Sequence, residues 1–213
     1  MSRLLYIESS PRKNDSSSIA ISKEFIETLS KEDSDIEIDV LDLWDEDLPS
    51  FNGSVIDAKY AYLHGQNPSG PGIDAWHKIE KIVERFKTAD HYLFSIPMWN
   101  FGIPYVLKHY IDILVQPGLT FQFSPESGYT GIVKANSATV IYARGGVYST
   151  PEMQGLDFQK KYMDLLLGFI GITDVNTIIC EPTLGEPDSV EEAKQKAVKQ
   201  AREIVTTFYN KVK

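Results

Sequence analysis

One cysteine, Cys180, in 213 residues leaves no partner for an internal disulfide and fits a reducing compartment. No apolar run approaches the roughly 20 residues that a membrane-spanning helix needs. The opening stretch Met1-Ser2-Arg3-Leu4-Leu5-Tyr6-Ile7 has too little apolar length for a signal peptide, so the cytoplasm is the expected address. Positive charge is also short: 21 Lys and Arg against 30 Asp and Glu give a net charge of −9. That balance argues against a nucleic-acid partner or an anionic-membrane surface, both of which need clustered cations. It does not exclude a local phosphate site.

Missing motifs narrow the chemistry further. No Gly-x-Gly-x-x-Gly fingerprint follows the first strand and no P-loop exists, so a Rossmann-type dinucleotide turn or a bound nucleoside triphosphate is disfavoured. A Ser-His-Asp hydrolase would want a Gly-x-Ser-x-Gly elbow, and there is none. His64, His77, His91 and His109 stand at no metal-ligand spacing with one another or with Cys180, so structural roles and no metal site are expected.

What remains is the composition of an ordinary globular chain, 42% apolar and 24% charged, long enough for one domain over residues 1–213 with a full core. Three short apolar runs, Leu4 to Ile7, His91 to Ile96 and Ala138 to Ala143, read as parallel strands covered on both faces. Asp35 to Leu41 instead alternates, with Ile36, Ile38 and Val40 opposed to Glu37 and Asp39, as a half-exposed edge strand does. Val175 to Cys180 supplies a fifth strand. Helical spacing links Ile21, Phe25 and Leu29; Trp76, Ile79, Val83 and Phe86, with Asp74 as N-cap; Ile103, Leu107, Tyr110 and Leu114; and Phe158, Tyr162, Leu165, Leu166 and Phe169.

A last helix from about Val190 to Asn210 turns Ala193, Ala197, Ala201, Ile204 and Phe208 inward. Leu119 to Ser124 and Tyr129 to Val133 read as a hairpin around Pro125 to Gly128. Trp44 to Gly72 carries little pattern and reads as a surface excursion, with a loop at Asn67 to Gly72. The alternation predicts an α/β three-layer doubly wound fold with a five-stranded parallel sheet in the flavodoxin-like order 2-1-3-4-5.

Three loops after strands one, three and four then emerge at one sheet edge, where ligands bind in such folds. The first, Ser9 to Ser18, is rich in hydroxyls and ends at a helix N-terminus, where backbone N–H groups and the dipole favour a phosphate. Its plainer role is an N-cap by Asp15 or Ser16. The second, Pro97-Met98-Trp99-Asn100-Phe101-Gly102-Ile103-Pro104, offers a flat apolar ligand something to lie against and Asn100 as a polar edge. The third, Arg144-Gly145-Gly146, lets backbone approach a ring edge closely. Flavin mononucleotide (FMN) has a phosphate, a flat ring and a polar ring edge.

With Val106-Leu107-Lys108-His109-Tyr110-Ile111-Asp112 after the second loop and Ala143 before the third, the chain resembles the FMN-dependent NADH azoreductase family of flavodoxin-like quinone reductases, from Leu4 to the last helix. The resemblance implies an oxidoreductase that passes two electrons from NADH or NADPH to quinones and aromatic azo compounds by a ping-pong mechanism. It also implies a homodimer with two FMN sites near its interface, for which Tyr60, Tyr62 and the apolar residues after Ile103 are candidates. By matching position, Ser9, Ser16, Ser17 and Ser18 would hold the phosphate and ribityl end, Pro97, Met98, Trp99, Asn100 and Phe101 the isoalloxazine, and Arg144, Gly145 and Gly146 its pyrimidine side. Phe123 stands where many relatives have Tyr, and Tyr148 follows the paired glycines; both are expected to face the substrate. No side chain is expected to be an obligatory acid or base, because the flavin carries the hydride. Arg144 could favour negative charge on reduced flavin or acceptor, or else form a surface ion pair. The alternatives are a one-electron flavodoxin-type carrier or flavin-binding module, and a phosphoester hydrolase built on the serine turn.

Overall fold

The computed structural model describes the backbone of residues 2–66 and 70–212 and the side chains of 2–66 and 70–207. Residues 67–69 of the expected Asn67 to Gly72 loop and the inward face at Phe208 lie outside the described residues, and Gly72 already begins a helix. In chain order the elements are β1 (Arg3–Glu8), α1 (Ser17–Glu32), β2 (Glu37–Asp42), α2 (Gly53–Leu63), α3 (Gly72–Lys87), β3 (His91–Pro97) and α4 (Tyr105–Leu114). They continue with β4 (Phe121–Ser124), β5 (Gly128–Gly131), β6 (Ser137–Ala143), α5 (Phe158–Ile170), β7 (Val175–Cys180) and α6 (Pro187–Val212). Five strands form a parallel sheet in the order β2-β1-β3-β6-β7, which is the expected 2-1-3-4-5 once the separate β4-β5 hairpin is set aside.

Successive side chains of a strand point to opposite faces, and in β1 both faces are core. Leu4 and Tyr6 pack with Ile21, Phe25 and Leu29 of α1 and with Ala193, Ala197, Ala201 and Val205 of α6. Leu5 and Ile7 pack with α3, α4 and α5. The four-residue spacing on α6 is one helical stripe, with Val205 buried where Ile204 is only half-buried.

The edge strand β2 is less regular than its alternation suggests. Val40 is 51% exposed, whereas Asp39 is drawn in by Arg3 and by Arg85, whose Nη2 lies 2.8 Å from Asp39 Oδ1. Leu41, on the Asp39 face, joins the core. The supposed excursion after Trp44 contains α2, capped by Asn52, with Val55 and Ala58 buried. Tyr60, Tyr62 and Leu63 stay exposed, so apolar residues encircle this helix and blur its periodicity. Asp74 sits in the first turn of α3 without capping it.

The hairpin is fastened to the end of α5 at one tight point. Val133 N–H donates to Ile170 O at 3.0 Å, and a Cβ built on Gly131 would fall 2.2 Å from Gly171 N and from Ile170 C. Backbone on both sides cannot yield cheaply. Gly131→Ala is therefore expected to destabilise the fold by about 1–3 kcal/mol, read as a lower urea midpoint at unchanged slope.

Candidate functional site

The parallel register brings the carboxyl ends of β1, β3 and β6 together, with Glu8 opposite Ser95 and Pro97 opposite Ala143. Loops leaving those strands share one edge, and each is held by bonds its sequence dictates.

After β1, Ser9 is fully buried and braces the edge. Its N–H and Oγ–H both donate to Ser95 O, at 3.3 and 2.7 Å. Ser16 is the N-cap of α1, accepting from Ile19 N–H at 3.4 Å, and its Oγ lies 3.1 Å from Ser18 Oγ. The first intrahelical donor is Ala20, to Ser16 O, so the N–H groups of Ser17 and Ser18 have no acceptor within the helix; Ser17 is half-buried and Ser18 fully buried. Arg12 is exposed at the same turn. Lys13 is committed elsewhere, to Asp42 and Asp45. Burial opposes its charge, but the bond and charge of Asp42 hold its pKa above the ordinary lysine value.

After β3, Met98 N–H donates to Ala143 O at 2.8 Å, and Trp99 and Gly102 exchange reciprocal N–H···O bonds of 3.0 and 2.9 Å. Between them Asn100 (φ 47°) and Phe101 (φ 70°) are both left-handed, the backbone of a two-residue type I′ turn. Asn tolerates that region; for Phe it costs about 1–2 kcal/mol. The turn projects Phe101, 45% exposed, while its carbonyl accepts Phe158 N–H of α5 at 3.1 Å. A groove of about 670 Å³ beside the turn is lined by Phe51, Trp99, Asn100, Tyr105, Lys108 and His109.

After β6, the Arg144 side chain is 1% exposed and reaches three partners: Asp157 Oδ2 at 2.7 Å, Gln159 Oε1 at 3.1 Å and Glu181 Oε2 at 3.2 Å. Glu181 also accepts the N–H groups of Tyr148 and Ser149, both at 3.0 Å. Burial alone would raise the Glu181 pKa, but these two N–H groups and the guanidinium hold it below the usual glutamate value. Gly145 and Gly146 lie on the rim of this loop; a Cβ on Gly146 would meet only Tyr148, at 3.6 Å, so the backbone there is uncovered, whereas Leu184 packs over Gly145, 3.1 Å from a Cβ built on it. Tyr148 meets Phe101 edge-on, centroids 6.3 Å apart.

A helix N-terminus with unpaired N–H groups, an apolar turn and the exposed backbone of Gly146 at one edge fit the phosphate, ring and ring edge of FMN. The family described as having a flavodoxin-like fold matches residues 2–205. An FMN-dependent NADH:quinone oxidoreductase of Desulfotalea psychrophila is 53% identical over 208 residues, 96% of this chain and 98% of that protein. A second of that name, from Nitratidesulfovibrio vulgaris, is 43% identical over 98% of this chain and 100% of its own. The chain belongs to this family of flavodoxin-like, FMN-dependent NADH:quinone oxidoreductases. Among solved structures, an FMN-dependent NADH-azoreductase of Bacillus anthracis in complex with FMN superposes with a TM-score of 0.87 at 26% identity, covering 98% of this chain and 99% of that one.

Within this quinone oxidoreductase fold, the structure brings together Ser16 to Ser18, Met98 to Phe101, Gly145, Gly146 and Tyr148 on their three loops. Ser9 stands behind the turn as a brace. Phe123 lies on the hairpin, 63% exposed, against Tyr129 at 5.1 Å between centroids. The surface ion pair considered for Arg144 is overturned, since its guanidinium is spent inside the protein. Of the apolar residues after Ile103, Val106, Leu107, Ile111 and Ile113 are core, leaving Tyr105 exposed. The sequence reading missed Trp44. Its Nε1–H donates to Ser9 O at 3.0 Å and its ring lies 5.9 Å from Trp99 and 5.4 Å from Tyr105, joining the serine turn to the aromatic one. The available signal was that a parallel β2 must also end at this edge. Cys180 is buried, its thiol pushed up to about 11 by desolvation, and so is held protonated and unreactive.

Proposed function

We propose that this chain is an FMN-dependent oxidoreductase that passes two electrons from NADH or NADPH to quinones and aromatic azo compounds, working as a homodimer in the cytoplasm, with residues 1–213 as one FMN-binding domain. The observation that carries the reading is the placement of the Trp99–Gly102 turn on the same sheet edge as the N-terminus of α1 and the Gly145-Gly146 loop, as the parallel register of β1, β3 and β6 requires. When bound, FMN supplies reversible two-electron chemistry, accepting hydride from the nicotinamide and delivering it to the acceptor.

The chain's own residues bind and orient. The Ser17 N–H, with the α1 dipole, would take the phosphate. Met98, Trp99 and Phe101 provide apolar contact for the ring, Asn100 a polar edge, and Gly145 and Gly146 room for the pyrimidine side. Donor and acceptor use the same exposed space in turn, hence ping-pong kinetics. Dimerisation is supported by the apolar groove that continues from the turn, lined by Ile103, Phe158, Tyr162 and Leu165, with Phe158 59% and Leu165 72% exposed.

The test is direct. Purified protein loaded with FMN should keep its flavin absorption through gel filtration, sediment at twice the chain mass, and consume NADH when a quinone is added. Retained flavin without NADH turnover would make it a carrier; no retained flavin would overturn the reading.

A further inference from the structure

Glu181 belongs to none of the three loops, yet its carboxylate holds one of them, through Arg144 and two backbone N–H groups. Its side chain is 6% exposed, and its two oxygens accept from consecutive backbone N–H groups, Tyr148 to Oε2 and Ser149 to Oε1. Closer to β6 the loop is zipped to the segment after β7, Thr183 N–H to Arg144 O at 2.8 Å and Leu184 N–H to Gly145 O at 3.2 Å. Those bonds secure the glycines, while the Tyr148 and Ser149 amides are held by Glu181.

The same carboxylate closes a circuit. Arg144 joins Glu181 to Gln159, whose Nε2–H donates to Ile96 O at 3.0 Å just before the aromatic turn. Asp157 joins Arg144 to the N-terminus of α5, and Phe158 N–H there donates to Phe101 O. Tyr148 then meets Phe101 ring to ring. Each end of that aromatic contact is thus fixed through Arg144, one by way of Glu181 and the other by way of α5.

We propose that Glu181 is a positioning residue for the acceptor: by fixing the Tyr148 and Ser149 amides it holds Tyr148 against Phe101 as the wall that sets the width of the substrate space. The inference rests on the function proposed above. Glutamine in its place keeps one acceptor oxygen but turns an NH₂ group toward an N–H or the guanidinium, so one amide loses its partner.

The experiment combines Glu181→Gln, Tyr148→Ala and the double variant with hydrogen exchange. In flavin-free protein, Glu181→Gln should speed exchange of whichever amide loses its partner, Tyr148 or Ser149, by about tenfold while β6 and α5 amides stay protected. In FMN-loaded protein, each single variant should raise KM for 1,4-benzoquinone about tenfold with kcat nearly unchanged, and the double variant should be no worse than Tyr148→Ala alone, since coupled residues are not additive. Additive KM effects, or a lower melting point with unchanged exchange at both Tyr148 and Ser149 and unchanged KM, would overturn the proposal. Should Glu181→Gln fail to fold, Glu181→Asp, which keeps the charge but withdraws it by one methylene, is read by the same two measurements. A wild-type protein that binds no FMN would refute the function and leave the exchange measurement to decide on Glu181.

Discussion

Arg144→Met should destabilise the fold by about 3–5 kcal/mol, because deleting one member of a buried ionic network leaves the others uncompensated. Met replaces the aliphatic stem but not the guanidinium, so a small cavity adds to a loss that is chiefly electrostatic. Asp157 and Glu181 would remain, their side chains 11% and 6% exposed, with backbone N–H groups as their principal donors. For a chain of this length the melting point should fall by roughly 10 °C. Arg144→Lys should recover little, since one ammonium cannot span carboxylates and an amide placed around a planar fork.

The defect should depend on pH with a definite sign. In the wild type the Glu181 pKa is depressed from its ordinary 4.5, so its contribution is complete above that value and fades as pH falls through the lower, folded-state pKa. The gap between wild type and Arg144→Met should accordingly be widest near neutrality and narrow in acid. A gap independent of pH would assign the cost to packing.

How much of this was written in the chain follows from what each residue faces. Leu4 to Ile7, His91 to Ile96 and Ala138 to Ala143 were readable as central strands because both their faces are core, which forces continuous apolar runs. β2 was readable as an edge, but not Asp39, whose inward place depends on Arg3 and Arg85, 36 and 46 residues away in sequence. α2 hid because Tyr60 and Tyr62 add apolar residues on its outer side. The candidate loops were legible from composition plus the rule that parallel strands end together. Their internal assignments were less so: nothing in Ser9 marks it as a brace, and nothing in Arg-Gly-Gly shows that the guanidinium turns inward while the glycines stay on the rim. Those outcomes depend on Ser95, Asp157, Gln159 and Glu181, which are distant in sequence and unremarkable in type.

Phe101→Gly should separate stability from flavin binding. Phe101 occupies φ 70°, where an L side chain costs about 1–2 kcal/mol and glycine almost nothing; glycine loses a comparable 0.5–1 kcal/mol through the freedom of its unfolded chain. The two terms nearly cancel, so the melting point should stay close to wild type even after the edge contact with Tyr148 is lost. FMN affinity should nevertheless fall about tenfold, the equivalent of 1.4 kcal/mol of lost ring contact. Asn100 calls for the same substitution rather than alanine, because at φ 47° alanine would strain the turn and remove the amide together. Asn100→Gly removes the amide alone, and about one hydrogen bond, a few-fold in FMN affinity, should go with it. Unchanged affinity in Phe101→Gly would exclude that ring from the flavin contact, whereas stability and affinity falling together would mean that the turn, not the ring, is what FMN requires. A left-handed phenylalanine is local strain at the turn proposed to contact the flavin, and the two variants measure what that strain is for.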